Sequence, residues 1–366
     1  MAILAIEASA KHADQYLLFD DTGALFLSNA AGTEIRPIAK LSSIDAFDKP
    51  IEMTLHEPYA CVVERFGLHG SVVDLRNGSI REIQREDYHA DVSSYSHAFI
   101  EHEGACLLLH QTQWNRLDVM DLETGRCLTE RRVSYRFTPE QRDADGVITS
   151  PSIDESENYL DFFHSRLHVS PNSKSFLSNG WMWSPVDNLI AYDFKDFLRT
   201  FDPGGASTEF GGGYNWDRPC TFIDDDTFVA IVDDLGEDDD RAHNEYLPLW
   251  FYRLSDAHQG HRRRIIEAFR KLPCSAFGLN GHGEVHGDLY YDPNLHCLIA
   301  ISDKGGFRLG LDGSIISHDP ELARVDRHNH SDFGSKYART ILEWKYSVRG
   351  QRFYRFHPER GAIQVG

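Results

Sequence analysis

Val72-Val73-Asp74-Leu75-Arg76-Asn77-Gly78-Ser79-Ile80-Arg81-Glu82-Ile83 is an apolar run, a polar turn at Asn77-Gly78 and a second run. Asn-Gly is the strongest short-range hairpin signal, and the alternation after it is that of a half-buried strand. The same plan returns at residues 117–128, turning at Glu123-Thr124-Gly125, and at residues 307–316, turning at Asp312-Gly313. Looser copies lie at residues 25–35, 189–198, 249–266 and 353–363. Seven hairpin turns therefore fall near residues 30, 77, 123, 196, 257, 312 and 359.

Upstream of most hairpins stands a second shared pattern, a short strand, a turn and a strongly apolar strand. It is clearest at residues 53–63, 98–109, 167–178, 221–231 and 289–300. Two strands there and two in the hairpin make four per period of roughly 45–50 residues. Such a unit cannot bury both faces alone, and stacking copies around an axis solves the burial. The expected fold is all-β, a seven-bladed β-propeller of four-stranded antiparallel blades in one domain spanning 1–366. The expected blades are 1–43, 44–88, 89–135, 157–200, 217–270, 283–320 and 331–366, with insertions at 136–156, 201–216 and 321–330. The one fair helical candidate is 263–272, which reads equally as a strand. Seven hairpins can be counted without borrowing, so residues 2–8 are expected as the inner strand of the first blade.

The unit at 167–193 carries Ser170-Pro171-Asn172-Ser173-Lys174 after its first strand and Tyr192-Asp193 at the end of its third. It resembles the Ser-Pro-Asp-Gly-Lys blade pattern of the WD40-like β-propeller superfamily. No blade pairs Gly-His with Trp-Asp, and the single Trp216-Asp217 follows a Gly-rich loop and reads as coincidence. The resemblance implies the propeller fold and points to no particular functional family.

Acidic residues outnumber basic ones 57 to 37, for a net charge of −20. That balance argues against sequence-independent nucleic-acid binding and against docking on anionic membranes. No apolar run is long enough for a membrane span, and the opening residues lack the basic region of a signal peptide. The six cysteines form no C-x-x-C pair, and Cys61, Cys106 and Cys297 sit in apolar runs as small hydrophobes. The expected compartment is the cytoplasm, and a monomer is favoured.

On a repeat scaffold, function tends to sit in connections that exceed the period. Trp181 and Trp183 interrupt a blade between its second and third strands, either capping the blade core or forming a partner platform. The acidic stretch 224–240, with Asp233, Asp234, Asp238, Asp239 and Asp240, offers many oxygens, but its spacing matches no EF-hand. It reads as a solvated loop that would attract a basic partner. His282, His286 and Asp288, and separately His328 and His330, are weak metal candidates, for calcium or zinc at most. The Gly-rich 211–213 segment lacks the lysine and helix of a phosphate loop, and no nucleophile elbow occurs. From Arg339 to Arg360, six basic residues alternate with aromatics, as expected of strands with arginines outward.

The reading that follows is a non-catalytic protein-interaction scaffold with no cofactor, using loops on one rim to hold another protein, with a basic protein as the candidate partner. The alternative is a small-ligand or metal-binding propeller, an enzyme among its forms, with its site at the central-channel mouth. That site would be built from residues 164–168, 224–240 and 282–288.

Overall fold

The computed structural model describes residues 2–46, 49–129, 141–142, 148–149, 160–183, 186–199, 205–208, 216–232, 247–260, 264–279, 285, 287–323, 343–357, 360 and 362–366. Seven antiparallel sheets follow one another along the chain and close into a ring, a seven-bladed β-propeller. Blade 1 runs Ile3–Ala8, Gln15–Asp20, Ala24–Asn29 and Ile35–Lys40 from axis to rim. Blade 2 runs Ile51–His56, Tyr59–Glu64, His69–Asp74 and Ser79–Gln84, and blade 6 runs Asp288–Asp292, Cys297–Ser302, Gly305–Leu309 and Ile315–Asp319. Blade 5 runs Cys220–Phe222, Thr227–Ile231, Leu249–Arg253 and Ala268–Leu272. The described residues of blade 3 give His97–His102, Ala105–Gln113 and Arg116–Asp121, with a bridge from Met120 to Cys127. Those of blade 7 give Lys345–Ser347, Arg352–His357 and Ala362–Val365. The N-terminal strand is the inner strand of blade 1 and does not cross over to complete blade 7.

Blade 4 departs most from the plain repeat. Phe163–Val169, Ser175–Met182 and Val186–Asp193 are followed by a short helix, Phe194–Arg199, where the sequence suggests only a turn. Asp193 Oδ1 accepts from the Asp196 N–H at 2.8 Å, an N-cap, and Phe194 and Phe197 bury the helix against the blade. The fourth strand, Ala206–Thr208, lies inside the stretch expected to be an insertion. Arg264–Ile266 then adds in parallel, followed by His258–Gln259, so the described part of the candidate helix at 263–272 is two strands, Arg264–Ile266 and Ala268–Leu272. Both added strands come from the third-to-fourth connection of blade 5, which fastens that blade to its neighbour.

The seams between blades follow from a period of two. In Cys297–Ser302, Leu298 and Ala300 face blade 5, while Cys297, Ile299 and Ile301 face blade 7. In Tyr59–Glu64, Ala60 and Val62 face blade 1, while Tyr59, Cys61 and Val63 face blade 3. Each second strand thus serves two seams, which is why it reads as a continuous apolar run. Tyr16, Leu18 and Phe26 of blade 1 pack on Tyr354 of blade 7, so the ring closes on an apolar seam like the others. Burying one such leucine or isoleucine contributes about 1.5–3 kcal/mol. All six cysteines are free, and burial pushes the Cys220 thiol up to about 12, as for an inert core residue.

Turn chemistry is local. Gly78 has φ +75, and a Cβ there would stand 2.6 Å from the Ile38 carbonyl oxygen. Ser173, where the Ser-Pro-Asp-Gly-Lys pattern has glycine, takes φ 56. No helix among the described residues is long and apolar enough to cross a membrane.

Candidate functional site

Two regions depart from repeat packing, an aromatic nest on one end of the ring and the axial channel. The nest forms because blade 4 brings its inner strand unusually close to its second. A Cβ on Gly180 would stand 2.0 Å from the Phe163 carbonyl oxygen, so glycine permits this approach. Phe163 and Trp181 then stack at 3.8 Å with 6° between planes. Trp181 is 4% exposed and donates through Nε1 to Ser93 Oγ at 2.9 Å. Trp183 is 46% exposed and stands edge-on to Trp181, Phe163 and His89, at 5.4, 5.5 and 5.2 Å. The two indoles therefore divide the expected roles, Trp181 capping the core and Trp183 keeping surface.

The loop that carries His89 is organised by one buried cation. Arg85 donates to the carbonyls of Gly67, Ala90 and Ser93 at 2.8, 2.7 and 2.9 Å, and to Gln111 Oε1 at 2.7 Å. Burial lowers its pKa to about 10, which leaves it charged at neutral pH. Trp216 closes the nest by donating to the Val92 carbonyl at 3.0 Å.

Trp216-Asp217 precedes the first strand of blade 5 and is not the Trp-Asp end of a third strand, but it has a role of its own. Asp217 accepts from Ser94 Oγ at 2.5 Å and from the Arg166 backbone N–H at 3.0 Å, and lies 3.7 Å from the Arg65 guanidinium. It thereby joins the nest to the channel.

The channel encloses a cavity of about 560 Å³ lined by residues of all seven blades. Charged groups dominate its wall. Arg166 pairs with Asp288 at 3.0 Å, Arg65 lies 3.8 Å from Glu52, and Lys345 pairs with Glu7. Burial opposes the charge on Arg166, yet Glu52, Asp288 and Asp217 outweigh it and raise its pKa. Burial likewise opposes ionisation of Glu52 and Asp217, but Arg166 and Arg65 hold both below the usual carboxylate range. Lys345 and Glu7 link blade 7 to blade 1, and Arg352 stands 3.8 Å from Asp14 across the same junction. Lys345 and Arg352 of blade 7 thus meet acids of the first blade.

Two histidines complete the wall. His97 bonds the Tyr95 carbonyl through Nδ1 and Thr54 Oγ1 through Nε2, each at 2.9 Å. Burial, with Arg166 beside it, lowers the His168 pKa to about 4, so His168 is neutral at physiological pH. Its Nε2 is buried without a hydrogen-bond partner among the described residues.

Other sequence candidates fall elsewhere. The acidic stretch is not one loop, because the strand Thr227–Ile231 divides it. Asp224 and Asp226 shape the first turn of blade 5, Asp224 accepting from the Thr227 N–H at 2.6 Å and Asp226 from the Ser255 N–H at 2.8 Å. Thr227–Ile231 then carries the chain to the other end of the ring. Asp233, Asp234, Asp238, Asp239 and Asp240 lie outside the described residues, as do His282, His286, His328 and His330. Asp288 belongs to the channel as the partner of Arg166. Sequence reading missed Glu52, Arg65 and Asp217; Glu52 carried the signal of a charge inside an otherwise apolar strand pattern, while Arg65 and Asp217 lie in turns and carried none. Compared with known proteins, the chain matches no family model and no curated sequence.

Proposed function

We propose that this propeller is a non-catalytic interaction scaffold that holds a protein partner on the end of the ring bearing the aromatic nest, with Trp183 as anchor. The observation that carries this reading is the asymmetry of the two ends. In an up-and-down blade, second-to-third-strand and blade-to-blade connections share one end. The stretches between Cys127 and Phe163, Ile231 and Leu249, Leu272 and Asp288, and Asp319 and Lys345 are all of these two kinds. At the opposite end, the connections run from the two-residue turns at Pro58 and Gly104 to the six residues between Ala8 and Gln15, apart from the longer third-to-fourth-strand connections of blades 4 and 5. The net charge of −20 favours a basic partner, and Asp233–Asp240 belongs to a connection that starts from the nest end.

Trp181 has almost no surface left to offer, so the anchor is Trp183 alone. A pull-down from the native host should recover a partner with wild type and lose it with Trp183→Ala, which removes on the order of 2 kcal/mol or more of binding. Changing Asp238, Asp239 and Asp240 to Asn should slow association and weaken its salt dependence. Equal recovery by all three folded proteins sinks the reading.

A second reading has its own observation. The cavity of about 560 Å³ and the unpartnered His168 Nε2 favour a small polar ligand in the channel. Native mass spectrometry of protein from its own host should then show a bound small molecule that His168→Phe releases. A wild-type mass equal to that of the bare chain argues against it.

A further inference from the structure

Blades 2 and 3 meet at a cluster that neither reading uses. Glu101, on the inner strand of blade 3, and Cys106, on its second strand, are direct cross-strand partners, so their side chains share one face. His56 ends the inner strand of blade 2, and its Nε2 lies 2.8 Å from Glu101 Oε1. Besides burial, Glu101 also acts on the Cys106 thiol and raises its pKa. One nitrogen, one carboxylate oxygen and one sulfur thus lie within 4.8 Å of one another. Among the described residues this is the one group of three metal-ligating side chains that converges in this way.

The geometry points to a divalent-metal site of the zinc class, formed by His56 Nε2, a Glu101 carboxylate oxygen and Cys106 Sγ, which staples blade 2 to blade 3. The donor set selects the ion. Calcium takes six to eight oxygens, whereas zinc takes nitrogen, sulfur and oxygen together at about 2.0–2.3 Å in a tetrahedron. Such bond lengths put neighbouring ligand atoms about 3.3–3.7 Å apart, so the three atoms need adjust only slightly. Side-chain exposures of 40% for His56 and 49% for Glu101 leave room for that movement. Stacking of the His56 ring on Phe99, at 5.6 Å and 26°, restrains its rotation.

Three protein ligands leave the fourth tetrahedral position to water or an exogenous group. His56 also lines the channel cavity, so that position lies at the channel wall. On binding, the metal takes the place of the Cys106 S–H proton, which leaves to solvent, and the sulfur coordinates as thiolate. In the metal-free protein, burial first and Glu101 second push the Cys106 thiol up to about 12. A cation at the cluster centre reverses the effect of both.

The test uses the full chain, stripped with chelator, loaded with zinc or cobalt(II) and separated from free metal by gel filtration. Wild type should retain one equivalent by elemental analysis, and the cobalt form should show a near-ultraviolet sulfur-to-metal charge-transfer band. Cys106→Ser should abolish the band and weaken binding by more than the ~10–100-fold that loss of an outer hydrogen-bond partner costs. His56→Gln, at a solvent-accessible position, should weaken binding comparably and serves if Cys106→Ser fails to fold. His102→Gln, which removes a neighbouring imidazole outside the cluster, should change nothing. No retained metal in wild type, or a cobalt spectrum and affinity unaltered by both ligand substitutions, overturns the assignment.

Discussion

The seam between blades 5 and 6 and the axial channel are both enclosed, yet they are filled in opposite ways. The seam holds Val229, Phe251, Leu298 and Leu309, packed into one apolar cluster. The channel wall holds Glu52, Arg65, Arg166, Asp288 and Lys345; Arg65 and Glu52 meet within blade 2, while Arg166–Asp288 and Lys345–Glu7 pair across blades. Apolar burial asks only that each strand alternate, so any blade can supply it. A buried charge must instead find a counter-charge, and for Arg166 and Lys345 the partner arrives from a different blade. The seam is therefore a property of each repeat and the channel a property of the closed ring.

One ion pair crosses that division and gives the largest expected effect. Arg218 and Asp187 are 1% and 0% exposed and pair beside the blade 4–5 seam, where Arg218 also donates to the Ile231 carbonyl at 2.9 Å. Arg218→Ala takes the guanidinium away from the buried Asp187 carboxylate and should cost about 3–5 kcal/mol in urea unfolding. Replacing both charges, as Arg218→Met with Asp187→Leu, should recover most of that loss. If the double variant is as unstable as the single, the pair is not what this site needs. In the purely apolar seam, Leu298→Ala should cost about 2–5 kcal/mol with no such rescue available from charge.

The smallest effect is on pH. Burial lowers His110 and His168 to about 4, against about 6.5 for an unfolded histidine. Between these values the unfolded chain binds more protons than the folded one, so stability falls as pH drops from about 6.5 towards 4. At pH 6 the loss is on the order of 1 kcal/mol per histidine. Glu52 and Asp217, held low by their arginines, lose their contribution only at lower pH, as it falls through their depressed values. Urea midpoints at pH 7.5 and 6.0 measure this, and His168→Gln should remove the channel's share. A midpoint that does not move over this range means the histidines are already hydrated.

Legibility in the sequence divides along the same line. Asn77-Gly78 and the alternation around it specify a hairpin by local chemistry alone. Seven such turns, with apolar second strands such as Tyr59–Glu64, were enough for the propeller. Blade 4 was harder to read, because its fourth strand Ala206–Thr208 is three residues long and a helix replaces its turn. Of the site residues, Trp181 and Trp183 stood out by type, but their spacing could not tell which one is covered. Phe163 and Gly180 decide that, by bringing the two strands together.

The sequence by itself determined the strands, their number per repeat, the seams and the acidic character of the chain. Each of these depends on residues two to a few tens of positions apart. Only the tertiary structure decided that Asp217 reaches Ser94, that Arg166 reaches Asp288, and that His56 meets Glu101 and Cys106. The physical reason is distance along the chain. These groups lie on different blades, no local period links them, and they meet only because ring closure sets the inner strands side by side.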